Sequence, residues 1–444
     1  MNFYELREKY PTFIYDRYQI DEIDNFLEIT YFFEIPDLVT FNPKIKIKKP
    51  NNNFNREILE KIVFDIGMVE LVSYFKCTCS PNVIIKAGYL NDYEKSFFKK
   101  LYYNGLGEFF YLNKINVKME ELINFKCEGL NKGLPKIDYK CNGNLIAVGG
   151  GKDSIVSLEI LKGDDNACFI INPKSPTINT SKTAGYLDDD IIIVERVIDR
   201  KIVELNNQGF LNGHTPFSAI VAFTSFLGAY LNNKKFIVLS NESSANESTV
   251  LGSNINHQYS KSYEFEKDFN DYINKIYDIG ITYFSLLRPL SEFQIALLFS
   301  KYKKYHKIFR SCNLGSKNNE WSWCQKCPKC LFVYIILSAF LDEDELTDIF
   351  GSNLYNDESL LDTFIEVLGY GEHKPFECVG TYKEARYAVS LAINKYKKLP
   401  FLLDYYEKHY EKEMDIKFEY EYNNEHNLNE YFEEKLKKEL EKYV

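Results

Sequence analysis

No apolar run in this 444-residue chain approaches the roughly 18 residues that a membrane-spanning helix needs. The first residues, Met1-Asn-Phe-Tyr-Glu-Leu-Arg-Glu-Lys9, are charged throughout and lack the apolar core of a secretory signal. An excess of positive charge is missing too. Lys and Arg total 54 against 64 Asp and Glu, a net charge of −10, which argues against a nucleic-acid partner. Ten cysteines in so long a chain do not make a disulfide scaffold, and without an export signal they are expected to be reduced. These absences point to a cytoplasmic protein with no membrane partner. A 45% hydrophobic and 27% charged composition is ordinary for a globular chain, and the length suggests roughly two or three domains.

The common phosphate loops are also absent. No Walker A spacing occurs, because Lys152 is followed by Asp153 where that motif requires Ser or Thr, and no G-x-G-x-x-G fingerprint is found. What stands in their place is Leu145-Ile-Ala-Val-Gly-Gly-Gly-Lys-Asp-Ser154. Leu145 to Val148 reads as a buried strand. Ile155, Leu158 and Leu161 have helical spacing. Glycines between a strand and a helix let backbone N–H groups approach an anion, and the helix N-terminus adds partial positive charge. Lys152 contributes a cation, Asp153 a cap or metal ligand, and Ser154 a hydroxyl. The bland alternative is a glycine turn of any α/β domain.

Upstream, Ile29 to Ile35 and Val39 to Ile47 read as strands joined at Pro36-Asp37. Arg56 to Phe75 reads as a helix, Asn82 to Lys86 as a strand, Asp92 to Tyr103 as a helix and Gly107 to Tyr111 as a strand. Residues 1–140 form an expected N-terminal α+β domain. Cys77 and Cys79 read as small residues near a helix end. Downstream, strands at Ala167 to Ile171, Ile191 to Val194 and Phe236 to Ser240 alternate with helices, Phe217 to Leu231 among them. Alternation predicts an α/β fold with a doubly wound parallel sheet over 141–341, with ligands at the carboxyl ends of its strands. Residues 342–444 read as a helical C-terminal region. Leu428 to Val444 is a charged Glu/Lys helix, solvated or at a dimer contact.

Two polar stretches belong at that carboxyl end. Ser240 to Glu247 carries Asn241, Glu242, Asn246 and Glu247, and Asn256 to Ser262 carries His257, Gln258, Tyr259 and Lys261. They read either as site loops or as solvated loops with helix caps. Arg288, just before a helix start at Ser291, either holds a carboxylate or phosphate bidentately or lies on the surface. Cys312, Cys324, Cys327 and Cys330 can supply four thiolates to one tetrahedral Zn²⁺. Reduced structural cysteines at a helix start and an iron–sulfur cluster are the alternatives.

The glycine stretch resembles the pyrophosphate loop, Ser-Gly-Gly-x-Asp-Ser, of the ATP pyrophosphatases (adenine-nucleotide alpha-hydrolase type). Gly150, Gly151, Asp153 and Ser154 match, and Gly149 stands in place of Ser. With the two polar stretches, Asn104 to Tyr111, Arg310-Ser-Cys-Asn313 and Trp323 to Cys330, the chain is similar to the ATP-dependent UDP-N-acetylmuramoyl-L-alanyl-L-glutamate epimerases of bacterial wall synthesis. That family has Gly at the position of 149. The resemblance spans roughly residues 29–340.

It implies ATP bound by Gly149, Gly150, Gly151, Lys152, Asp153 and Ser154, with Mg²⁺ near Asp153. It implies a UDP-linked muramoyl dipeptide near Asn241, Glu242, Asn246, Glu247, Gln258, Tyr259, Arg288 and Arg310. His257, Lys261 and Cys312 are the acid/base candidates, and the sequence does not choose among them. A related deazaguanine synthase family carries a four-cysteine zinc site at the same place in the chain, so Cys312 stands under both readings. A deazaguanine synthase-like enzyme and a nucleotide-binding regulatory protein without turnover are the competing functions.

Overall fold

The computed structural model describes residues 1–444 except 51–52, 132, 247–258, 313, 316–321, 372–374, 376, 378 and 415–416. The chain divides into two compact units. One is Met1–Leu145 with Ile192–Ile237 and Ile255–Tyr283, and the other is Ile146–Ile191 with Val238–Asn254 and Phe284–Val444. The described strands are β1 (Thr12–Ile23), β2 (Phe26–Ile35), β3 (Val39–Phe41), β4 (Lys44–Lys48), β5 (Asn82–Ile85), β6 (Asn124–Cys127), β7 (Asn144–Ala147), β8 (Asn166–Ile171), β9 (Ile191–Val197), β10 (Phe236–Leu239) and β11 (Thr282–Ser285). Helices pack with them, so the protein is mixed α/β with a C-terminal helical region.

In the first unit the strand order is β9-β4-β2-β1-β5-β6, with β3 on β2. β1, β2, β4 and β9 pair antiparallel, while β1, β5 and β6 pair parallel. Phe13, Tyr15, Tyr31 and Phe33 are fully buried, and two of them meet the helix Arg56–Phe75, where Tyr15 stacks on Phe64 at 5.6 Å and Phe33 lies 5.7 Å from Tyr74. That helix starts where expected because the Asn55 side chain accepts from the N–H groups of Glu57 and Ile58. It also buries charge. Asp65 accepts from Lys61 at 2.6 Å, Tyr272 at 2.8 Å and Tyr277 at 2.6 Å, and Glu70 takes a two-pronged bond from Arg196. Buried carboxylates need such partners, because an unpaired one costs several kcal/mol, on the order of 3–5.

Two expectations in this unit are corrected. Gly107–Leu112 is a short helix and not a strand. It follows the helix Asp92–Gly105 after one residue and buries Phe109 and Phe110, so the aromatic run fills a helical face. Val39 to Ile47 is two strands, because Asn42-Pro43 falls between β3 and β4 and a proline cannot donate to a ladder.

The strands around the glycine loop follow the order β11-β10-β7-β8. The chain moves from β7 to β8 on one side, then returns to place β10 on the other. β7 therefore lies at a topological switch point, where open α/β sheets bind ligands. β10 and β11 run parallel, with Thr282 N donating to Lys235 O and Leu286 N to Leu239 O, each at 2.9 Å. The helix Glu292–Lys301 starts with a capping box between Ser291 and Gln294.

The last helix, expected to be solvated or at a dimer contact, is Glu430–Leu440, and full solvation is corrected because one face is buried within the chain. Phe432 and Leu436 are buried, Phe432 meets Phe284 at 4.7 Å, and Tyr431 and Lys435 both reach Asp164, at 2.8 and 2.5 Å. Among the described residues no helix is long and apolar enough to cross a membrane.

Candidate active site

The glycine loop leaves β7 and enters the helix Lys152–Ile160. Gly151 is the N-cap in an extended conformation and gives no side-chain cap. First-turn N–H groups have no acceptor within a helix, and a helix start without a side-chain cap is the kind that takes up anions. Gly150 has φ +77, and a Cβ there would lie 3.0 Å from Thr177 N. A Cβ at Gly149 would meet nothing within 4 Å. The segment around Arg310 closes on this loop. Arg310 N donates to Gly150 O at 2.8 Å, and a Cβ on Gly151 would sit 2.7 Å from Ser311 Oγ.

Lys152 is buried, with 1% of its side chain exposed, and its ammonium is held by Asp153 and Glu292. Burial alone would push its pKa down. The two carboxylates outweigh burial and hold it above the usual lysine value. Glu292, equally buried, is pushed by burial up to about 7, against the pull of Lys152. Asp153 keeps 29% of its side chain exposed. Ser154 is buried and donates to Gly151 O at 3.1 Å.

The stretch after β10 is tied to the same place. Ser240 Oγ lies 2.8 Å from Ser157 Oγ on the loop helix. Asn241 N donates to Ser285 Oγ at 2.7 Å, and Ser243 N to Leu290 O at 3.1 Å. Glu242 is buried, accepts from Ser244 Oγ at 3.4 Å, and adds a negative charge that helps raise Glu292. Arg288 is fully buried, which removes the surface alternative, and its Nη1 donates to Glu242 O at 2.9 Å. The Arg310 guanidinium is half-buried. Its Nη1 donates to Phe309 O at 2.7 Å, while its buried Nε has no hydrogen-bond partner among the described residues. Burial pushes its pKa down.

The four cysteine sulfurs, Cys312, Cys324, Cys327 and Cys330, all lie within 4.8 Å of one another. Tyr259 and Lys261 belong to the first unit, on a short 3₁₀ turn. Tyr259 is buried, its hydroxyl donates to Asp268 at 3.3 Å, and its ring meets Phe265 edge-on at 5.8 Å. Glu247, His257 and Gln258 lie outside the described residues, as does the side chain of Asn246.

Two residues here were not singled out by sequence. Glu292 pairs with Lys152 across 140 positions of chain, and only its place at a helix start beside Arg288 hinted at it. Ser311 is recognisable only from its approach to Gly151. The helix N-terminus, the fixed ammonium of Lys152 and the carboxylates of Asp153, Glu242 and Glu292 are the groups that could hold a polyphosphate with a divalent cation.

A family model described as the MurL N-terminal domain matches residues 4–286, and one described as the MurL C-terminal domain matches residues 308–414. The chain is 34% identical over 339 residues to the UDP-N-acetyl-alpha-D-muramoyl-L-alanyl-L-glutamate epimerase of Xanthomonas oryzae pv. oryzae, covering 74% of each chain. Proteins of the same description from a Micromonospora species and from Salinispora tropica are 34% and 36% identical. The matches cover 77% of both chains for the first, and 75% of this chain and 73% of the relative for the second.

Proposed function

Because the chain belongs to the UDP-N-acetyl-alpha-D-muramoyl-L-alanyl-L-glutamate epimerase (MurL) family, we propose that it inverts the terminal L-glutamate of UDP-N-acetylmuramoyl-L-alanyl-L-glutamate to D-glutamate, with ATP cleaved to AMP and pyrophosphate. The observation that carries the substrate is the identity of about a third, over about three quarters of the chain, to relatives named for this activity. ATP use is supported by the glycine loop at the switch point of the sheet, with Lys152 fixed in it, an arrangement suited to an ATP pyrophosphatase fold. A nucleotide-linked, water-soluble substrate of this kind suits the cytoplasm.

The chemistry explains why ATP is needed. A hydrogen on the carbon beside a carboxylate is very weakly acidic, because removing it adds a second negative charge next to the first. Joining that carboxylate to AMP removes its charge and gives an acyl-adenylate, with pyrophosphate leaving. The α-carbon then loses its proton to a base and regains one on the opposite face, and water releases the D-isomer and AMP. In this reading Gly149 to Ser154 hold the phosphates and Asp153 holds Mg²⁺. Arg288, Arg310 and the Asn241–Glu242 stretch serve the substrate side. His257 and Lys261 are the groups to test for proton transfer.

Incubation of the chain with the L-alanyl-L-glutamate nucleotide, ATP and Mg²⁺, followed by hydrolysis and chiral analysis, should yield D-glutamate together with AMP. Unchanged L-glutamate with ATP consumed would exclude epimerisation of this substrate.

A further inference from the structure

The four-cysteine cluster does more than sit near a helix start. We infer that Cys312, Cys324, Cys327 and Cys330 hold one Zn²⁺ that clamps the Arg310–Cys312 segment onto the glycine loop. The geometry fits a tetrahedral ion. Four sulfurs about 2.3 Å from a central Zn²⁺ lie about 3.8 Å apart. Cys324 and Cys330 Sγ are 3.7 Å apart, Cys312 and Cys327 Sγ are 4.0 Å apart, and every pair falls within 4.8 Å. Both separations are far beyond the roughly 2.05 Å of a disulfide, and the four are free thiols.

The backbone is arranged for thiolates. Cys312 Sγ accepts from the N–H groups of Gly315 at 3.0 Å and Cys324 at 3.3 Å, Cys324 Sγ from Lys326 at 3.4 Å and Cys327 at 3.3 Å, and Cys327 Sγ from Cys330 at 3.4 Å. N–H groups aimed at sulfur favour the charged form that a metal needs. Gly315 has no alternative, because a Cβ there would collide with the Ser322 carbonyl oxygen and crowd Cys312 Sγ. Three of the sulfurs come from one tight run, Cys324 to Cys330, that opens the buried helix Pro328–Ser338. The fourth, Cys312, is the only one in the segment that touches the loop.

That connection gives the site its consequence. Arg310 N holds Gly150 O at 2.8 Å, and Ser311 fills the space beside Gly151. With Cys312 anchored to the metal, the two preceding residues are fixed against the loop. With the metal gone, Cys312 keeps its N–H···S bonds from Gly315 and Cys324 but loses the Zn–S bond that ties it to Cys324, Cys327 and Cys330. Binding displaces the thiol protons and forms four Zn–S bonds, with no change of oxidation state.

The test uses the full-length chain purified under reducing conditions. Metal analysis should find about one zinc per chain. Removal of the metal by a chelator should speed amide hydrogen exchange at residues 149–154 by about tenfold or more, while β8 and β10 keep their protection. Added Zn²⁺ should restore the slow rate. The exchange readout needs no nucleotide, so it is independent of whether the loop binds ATP. Protein that is metal-free as purified and takes up no Zn²⁺ would overturn the site. Iron in place of zinc, or two disulfides by thiol titration, would overturn it as well. Zinc whose removal leaves exchange at 149–154 unchanged would overturn the clamp. So would loss of protection throughout the second unit, because the metal would then be holding the fold and not the loop.

Discussion

The Lys152–Glu292 pair makes a prediction whose size can be worked out. Burial raises the Glu292 carboxyl from 4.5 to about 7. The folded chain therefore binds this proton more tightly than the unfolded chain does. The stabilisation from the tighter binding is complete below about pH 4.5 and is lost as the pH rises through 7. The difference between 4.5 and about 7 corresponds to about 3 kcal/mol in total, most of which falls between pH 5 and pH 8. Glu292→Gln keeps the shape and a hydrogen-bonding group but cannot ionise, and Lys152 keeps Asp153 as a partner. Urea unfolding of both proteins at several pH values cancels the titrations they share. The stability of the native protein minus that of the variant should fall by roughly 2–3 kcal/mol from pH 5 to pH 8. Parallel curves would refute the reasoning. A difference that grows with pH would mean that Lys152 holds Glu292 ionised throughout and that the attraction outweighs burial.

Lys152→Ala should abolish AMP and pyrophosphate formation while the circular dichroism spectrum stays native, and normal ATP cleavage by this variant would show the loop misread. The glycines should differ among themselves. Gly150→Ala, at φ +77 and tight against Thr177 N, should cost on the order of 1 kcal/mol or more in unfolding experiments, whereas Gly149→Ala faces open space and should cost less than half of that.

Much of the local structure was legible because it rests on local physics. The helices Arg56–Phe75 and Phe217–Leu231 have the bounds their apolar patterns suggest. The strand, glycine turn and helix around Gly149 to Ser154 could be read from ten residues. Where the outcome depended on distant partners, the sequence was silent or misleading. Gly107 to Tyr111 has the aromatics of a strand, but among the described residues no strand pairs with it, and it follows the helix before it after one residue. The last helix shows only Phe432 and Leu436 among its charges, and nothing local says that Phe284 and Asp164 wait for it. β1 alternates clearly only over Thr12 to Tyr15 before its side chains become mostly polar and exposed. Glu292 reads from sequence as a helix-start carboxylate, and its partner Lys152 is distant in the chain.

The central claim is that a proton leaves the glutamate α-carbon only after its carboxylate has been joined to AMP. The most direct measurement is turnover of the UDP-linked L-alanyl-L-glutamate in D₂O with and without ATP, reading deuterium at the glutamate α-carbon by mass spectrometry or NMR. D-glutamate carrying α-deuterium is the expected product in the presence of ATP and Mg²⁺, with no exchange when ATP is left out. Exchange at the same rate without ATP, or D-glutamate that retains its original α-hydrogen, would contradict it.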